Sequence, residues 1–304
     1  MSLAPVELAR GERFAALHAT LEARLKILPD KPEEAIDATL RCLWQMAAGR
    51  AMSVDAALEA ALPPLDDAAE ARLQALIDQR LAGVPLAHLS GRQRFMGLEM
   101  LAGAAALIPR KETELLGRAA LDRMRDLAAG DEDLRVLDVC TGSGNLALAL
   151  AHHGPRARVF GADLSADAVQ MARRNAAHLG LERVEFRVGD LLAPFDEPAF
   201  HGRVHLLTCN PPYISSKRVE TMADEIRGFE PRLAFDGGPL GIGILNRVIR
   251  EAPRFLAPGG WLAIEVGLGQ ATATVKRMQG SGTYRTVEAL DNAMGEARAV
   301  VAQV

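Results

Sequence analysis

The sequence predicts an α/β protein whose parallel sheet is covered by helices on both faces, with a small helical domain ahead of it. Residues 1 to about 88 carry helical periodicities only. From Arg135 onward, short apolar runs alternate with helical ones, and the first such run ends in a glycine turn that leads straight into a helix. Strands that are almost entirely apolar and separated by helices belong to parallel sheets buried on both sides. The chain has 304 residues, enough for one large domain and a smaller one.

In chain order, Asp30 is placed to cap a helix that Pro32 and Glu33 open, with Ile36, Leu40, Leu43, Trp44 and Ala47 on one face and an end near Gly49. After the break at Pro63-Pro64, Leu73, Leu76, Ile77 and Leu81 form a second stripe that stops at Gly83 and Pro85. Residues 1–88 therefore read as a helical domain. RQRFMGLEML (92–101) reads as two short strands around Met96-Gly97, and a Leu- and Ala-rich helix follows Pro109 from about Glu112 to Leu127. Residues 89–130 are thus a β-hairpin and linker helix, and Gly130-Asp131-Glu132-Asp133 marks a boundary before a third segment, 131–304. Its strands are expected at 135–140, 158–164, 184–190, 204–210 and 260–267, with helices between the first three and before the fifth. Ser165 caps one of these helices, Val169, Ala172, Ala176 and Leu179 form its apolar face, and Gly180 ends it. TYRTVEAL and ARAVVAQV at the C-terminus are expected to pair antiparallel at the sheet edge, which brings the strands to seven.

Composition narrows the function. Apolar residues make up 49% and charged residues 24%, with a net charge of −4, which argues against a broad basic surface for duplex nucleic acid. Cys42, Cys140 and Cys209 stand far apart without a CxxC, and the seven histidines form no HxxxH pair, so neither a disulfide framework nor a metal site is expected. The N-terminus has charges where a signal peptide needs an apolar run, and no stretch is long enough to span a membrane; a cytoplasmic location is expected.

DVCTGSGNLALALA runs from a strand end into a helix, with Gly142 and Gly144 at the turn. Glycine lets the backbone approach a ligand, and a helix N-terminus presents free N–H groups. Asp138, Asp163 and Asp190 lie at the ends of the first three strands. A carboxylate ending the second strand is placed to accept two ribose hydroxyls, and one ending the third to face an adenine amino group. GSGNLA also satisfies GxGxxA, so NAD stays open on this loop alone, beside S-adenosylmethionine (SAM), whose amino acid end needs no phosphate cradle.

The fourth strand discriminates. VHLLTC runs into Asn210-Pro211-Pro212-Tyr213, where the prolines end the strand and hold a carboxamide at its tip. A planar NH2 is a weak nucleophile, so its methylation needs acceptors that aim the nitrogen and stabilise the positive charge developing on it. Asn210 Oδ1 and the Pro211 carbonyl are suited to that task, and Tyr213 to stacking on the planar group.

Together with RLAGVPLAHLSGRQRFMGLEM (80–100), LIPRKETELL (107–116) and FEPRLAFDGGPLGIGILNRVIREAPRFLAPGGWLAIEVG (229–267), these motifs make the chain resemble the HemK-type protein-(glutamine-N5) methyltransferases over about residues 80–304. The resemblance implies a seven-stranded, Rossmann-like SAM-dependent methyltransferase fold and N5-methylation of a glutamine amide, most of all in the Gly-Gly-Gln loop of peptide chain release factors. By the same resemblance, Asn210, Pro211, Pro212 and Tyr213 bind the amide, with Asn210, Pro211 and Tyr213 in the catalytic role. Cys140, Thr141, Gly142, Ser143, Gly144, Asp163, Leu164, Asp190, Leu191 and Asn210 surround SAM. Cys140 stands where the family has its first loop glycine, Lys111 where it has a proline, and DNAMGEAR (291–298) replaces its C-terminal motif. The helical domain is expected to select the protein substrate, and the chain to act as a monomer without stable nucleic acid or membrane partners. Methylation of a ribosomal-protein glutamine, nucleic-acid amino-methylation, NAD-dependent oxidoreduction and a non-catalytic SAM-binding scaffold are the rival readings. Arg110, Glu112 and Glu114 fit either a solvated helix start or the site.

Overall fold

The computed structural model describes residues 5–128 and 134–304, so the boundary expected at Gly130–Asp133 lies outside the described residues. In chain order the helices and strands are α1 (Pro5–Arg24), α2 (Ile36–Ala47), α3 (Val54–Glu59), α4 (Asp67–Leu81), α5 (Leu86–Ser90), β1 (Arg92–Phe95), β2 (Leu98–Leu101), α6 (Thr113–Ala128), β3 (Arg135–Val139), α7 (Asn145–His153), β4 (Arg158–Asp163), α8 (Ala166–His178), β5 (Glu185–Val188), β6 (Val204–Cys209), α9 (Ser216–Val219), α10 (Asp224–Phe229), α11 (Gly243–Glu251), β7 (Leu256–Glu265), α12 (Ala271–Gly280), β8 (Thr286–Asp291) and β9 (Ala297–Gln303). They fall into two compact units: residues 1–103 with 224–229, and residues 104–223 with 230–304.

The first unit is a helical bundle with a hairpin. Leu40, Leu43, Trp44, Leu73 and Ile77, from the two stripes legible in the sequence, are buried together with Leu17 and Leu21 of α1. The helix expected from Pro32 does not run straight through. Pro32–Glu34 is a single 3-10 turn, Ala35 is extended at φ −51°, ψ 155°, and α2 starts at Ile36. Glu34 is drawn inward instead: its Oε2 accepts from Arg80 at 2.8 Å, and Arg80 and Lys31 both bind Glu225 of α10, at 2.8 and 2.7 Å. Two cations and two carboxylates are thereby buried in balance. The hairpin turns at Met96 and Gly97, both with positive φ (48° and 84°), the pair of conformations a two-residue turn between twisted strands requires.

The second unit holds the sheet, in the order β5-β4-β3-β6-β7-β9-β8, with β9 antiparallel to both of its neighbours and the rest parallel. β7 starts earlier than its apolar run suggests, because Leu256 pairs with Val204 ahead of a register shift. Strand side chains alternate between faces. Leu137, Val139, Leu207, Cys209, Leu262 and Ile264 share one face with Leu245 and Val248 of α11 and Met278 of α12. Asp138, Gly161 and Thr208 are therefore on the other. Ser165 Oγ caps α8 by accepting from Ala168 N at 3.2 Å, and Gly180, at φ +67°, follows its end. The parallel strands β3, β4, β5 and β6 all end on the same edge, where the loops of the site collect.

Candidate active site

The turn after β3 is fixed from beneath. Asp138 is fully buried, its Oδ2 accepting from Thr141 Oγ1 at 2.6 Å and its Oδ1 from Thr208 Oγ1 of β6 at 2.7 Å. Burial pushes its carboxyl up to about 6, against the pull of the two threonines. Of the three acids read as cofactor partners, Asp138 thus ties the loop to the sheet, and it is Asp163 and Asp190 that border the cavity. Gly142, at φ +54°, has open space where a Cβ would stand. Gly144 serves packing: a Cβ there would lie 3.0 Å from Ala172 Cβ and 3.1 Å from Phe186 Cζ, so its absence lets α8 and β5 close against the loop. Cys140 adopts φ +57°, a left-handed conformation that glycine enters more readily than any residue with a Cβ.

Asp163 ends β4 with Oδ2 accepting from Gly142 N and Oδ1 from Ser165 N, both at 2.9 Å, and desolvation raises its carboxyl from the ordinary aspartate value. The two oxygens together offer about four acceptor sites, more than the backbone donors of Gly142, Leu164 and Ser165 fill. Asp190 is held by both guanidinium nitrogens of Arg247, at 3.1 and 2.9 Å. Cys140, Thr141, Gly142, Ser143, Leu164, Leu191, Asn210 and Pro212 also line the cavity, as do Ala105–Leu107, Thr113 and Leu233, whereas Gly144, Pro211 and Tyr213 are not part of that lining. Ser143 Oγ is buried without a partner. An open cradle at Gly142, an orphaned hydroxyl at Ser143 and a carboxylate with lone pairs to spare at Asp163 fit a nucleoside bearing an amino acid, as SAM does.

The Asn-Pro-Pro-Tyr turn is braced from three sides. Gly237 and Gly241 belong to FDGGPLG, and a Cβ on either would lie 2.4 Å from Pro212 O or 2.3 Å from Tyr213 O, so only glycine lets this segment lie against the turn. Ile214 N donates to Phe235 O, and Gln270 Nε2 donates to the carbonyls of both Tyr213 and Gly241. Arg110 is buried and donates to Glu230 Oε1 at 2.6 Å, while Glu230 Oε2 accepts from Ile108 N. The LIPR and FEPR segments are therefore pinned to each other. Glu112 binds Arg298 of β9 at 2.7 Å, whereas Glu114 faces Arg118 on the helix surface.

Asn210 Nδ2 donates to Thr113 Oγ1 at 3.2 Å, so the carboxamide has a defined direction. The Tyr213 hydroxyl donates to Glu265 Oε1 at 3.1 Å and accepts from Arg298 at 3.2 Å, with the guanidinium 5.8 Å from the ring centroid. The sequence reading did not include Thr113, Glu230, Arg247, Glu265 or Arg298. For Glu265 and Arg298 the one signal is a charge inside an otherwise apolar run, as in GWLAIEVG and ARAVV; Thr113, Glu230 and Arg247 have none of that kind.

Residues 130–292 match the family described as "Methyltransferase domain". The N-terminal domain of human METTL16 in complex with SAH shares the fold, at a TM-score of 0.50 with 15% identity over 68% of this chain and 76% of that one. Sequence relatives reach further. A release factor glutamine methyltransferase of Moorella thermoacetica is 40% identical over 81% of this chain and 83% of its own length. One of Bradyrhizobium diazoefficiens is 36% identical over 86% and 84%, and one of Xylella fastidiosa 40% identical over 75% and 80%. A glycine loop with Asp163 and Asp190 beside it, an Asn-Pro-Pro-Tyr turn braced by its own glycine segment, and this extent of identity place the chain in the release factor glutamine methyltransferase family.

Proposed function

We propose that the chain methylates the side-chain amide nitrogen of a glutamine in a peptide chain release factor, in the Gly-Gly-Gln loop, with SAM as methyl donor. The observation that carries the reading is the direction of Asn210: its NH2 is engaged by Thr113, which leaves Oδ1 as the carboxamide's acceptor at the tip of β6. Oδ1 and the Pro211 carbonyl accept the two N–H groups of the incoming amide, which turns its nitrogen outward from the pair and stabilises charge as the C–N bond forms. Pro211 has no N–H to compete for those acceptors. When bound, SAM supplies an electrophilic methyl group on a sulfonium sulfur. In this reading the loop Cys140–Ser143 faces its amino acid end, Asp163 the ribose hydroxyls, Asp190 the adenine amino group, and Leu164 and Leu191 the flanks of the ring. Tyr213, tied down through its hydroxyl, keeps the turn in shape and offers its ring to the planar amide.

A flexible loop free of neighbouring side chains is what reaches a turn walled by two prolines, and this supports a glycine-flanked glutamine as acceptor. Residues 1–88 are proposed to select the protein that carries it. The test uses purified chain, labelled SAM and a release factor in which the loop glutamine is intact or replaced by asparagine. Transfer is expected to the glutamine protein alone, because the asparagine amide is one methylene short of Asn210. Mass spectrometry of the intact factor reads the result, and label on the asparagine protein, or on adenine of added RNA or DNA with none on any glutamine, would sink the reading.

A further inference from the structure

The acceptor turn rests on a buried polar cluster. Glu265 ends β7 and is 3% exposed, with Oε1 accepting the Tyr213 hydroxyl and Oε2 buried without a well-formed hydrogen bond. The Thr113 hydroxyl lies beside the same carboxyl and stabilises its charge. Thr113 Oγ1 in turn takes the NH2 of Asn210. One carboxyl therefore meets both functional side chains of the turn, Tyr213 directly and Asn210 through a threonine.

We propose that Glu265 is a positioning residue whose carboxylate accepts a hydrogen bond from the Thr113 hydroxyl and thereby sets which face of the Asn210 carboxamide the substrate meets. The role rests on amide methylation being the reaction at this site. A carboxylate only accepts, and a hydroxyl has a single proton. Once that proton points at Glu265, Thr113 presents lone pairs to Asn210, so the NH2 must face Thr113 and Oδ1 must face the amide. With Glu265 protonated, its O–H serves Thr113 and the threonine proton is free to bond Asn210 Oδ1. The carboxamide then turns over and shows its NH2 to the NH2 of the substrate, donor against donor.

Both states fall within reach of ordinary conditions. Burial pushes the Glu265 carboxyl up to about 7, Thr113 pulls it down, Glu112 adds repulsion, and Arg298 and Tyr213 favour the charge. Those are the titratable and charged groups that face it: Glu112 ahead of α6, Tyr213 after β6 and Arg298 on β9. Glu112 and Arg298 are paired with each other at 2.7 Å, and the Tyr213 phenol, desolvated and beside two carboxyls, is raised well above its ordinary value and stays protonated. Of the groups in this cluster, the one that changes state near neutrality is Glu265.

The test measures kcat for release-factor methylation from about pH 5.5 to about pH 9, at saturating SAM and substrate. Wild-type kcat is expected to rise about tenfold through a midpoint near 7. Glu265→Gln, of the same shape and permanently neutral, is expected to hold the acid-limb kcat at every pH with KM for SAM within about twofold of wild type. Thr113→Val should lower the alkaline kcat by about tenfold, and Thr113→Ser should restore it. Infrared difference spectra of the ligand-free protein give a readout that needs no turnover: a protonated-carboxyl band that disappears with a midpoint near 7 and is missing in Glu265→Gln. A Glu265→Gln profile that superimposes on wild type, or a carboxyl band that does not titrate, overturns the role while leaving the methylation reading intact. A wild-type chain that transfers no methyl group to a release factor at any pH overturns that reading and this role with it.

Discussion

Asp163 and Asn210 stand at the ends of β4 and β6, the strands on either side of β3, yet their substitutions should separate cleanly. Asp163→Ala removes the cavity-lining carboxylate proposed to accept the ribose hydroxyls and should weaken SAM binding by roughly 1.5–3 kcal/mol, measured by calorimetry. An unchanged dissociation constant in a folded variant would remove Asp163 from the site. Asn210→Ala removes the acceptor proposed to work on developing charge and should lower kcat about a hundredfold or more, with a smaller change in SAM affinity. Methyl transfer at the wild-type rate under saturation would be incompatible with the mechanism. Asp138 carries a pH signature of a different kind. Its buried carboxyl is raised to about 6, so the folded state holds a proton that the unfolded chain has already released near pH 4. A raised carboxyl makes stability fall as pH rises between those values, by roughly 3 kcal/mol for a shift of this size. Asp138→Asn lacks this slope. Thermal unfolding of the two proteins should show wild type losing ground to the variant between pH 4 and about 6, and parallel curves would show that Asp138 does not titrate there.

Among the elements, the loop ahead of α6 and the segment after α10 act as a single brace because Glu230 joins them. Its side chain has no exposed surface and takes both Arg110 Nη2 and Ile108 N. Glu230→Ala leaves a buried guanidinium without that carboxylate, and removing one partner of a buried pair costs about 3–5 kcal/mol. Denaturant unfolding should show a loss of that order, accompanied by faster proteolysis between residues 230 and 241. A loss under about 1 kcal/mol would mean that the brace is held by its backbone contacts alone. The glycines of this segment were legible in the sequence as a motif, but their purpose was not. Only the carbonyls of Pro212 and Tyr213, at 2.4 and 2.3 Å from the missing Cβ atoms, show what they make room for.

At the scale of the molecule, the two units cannot be separated by one cut, since α10 belongs with residues 1–103 although it is flanked on both sides by the second unit. Removing residues 1–88 takes away Lys31, Glu34 and Arg80 and strands Glu225, which was buried among them. The truncated chain should keep SAM affinity within about threefold, because every cavity-lining residue lies in the second unit, but raise KM for the release factor. It should also become protease-sensitive at 224–229. A soluble truncation with undiminished activity on full-length release factor would reduce residues 1–88 to a structural role.

Local chemistry determined what the sequence revealed by itself. Apolar runs alternating with helical stripes specified a parallel sheet, glycines marked the turn after β3, and two prolines marked the end of β6, because periodicity and φ restriction act over a few residues. The same local reading located Asp163, Asp190 and Asn210 at strand ends. It had no means of telling that Asp138 turns inward to Thr141 and Thr208, that Glu34 leaves its helix for an ion cluster with α10, or that Thr113, Glu265 and Arg298 gather around Asn210 and Tyr213. These partners are separated by up to 194 positions in the chain, as Lys31 and Glu225 are in the ion cluster, and no local rule couples them. They meet because the strand order sets β7 beside β6 and β9 beside β7, and because a buried charge must find its counterpart wherever the fold delivers it.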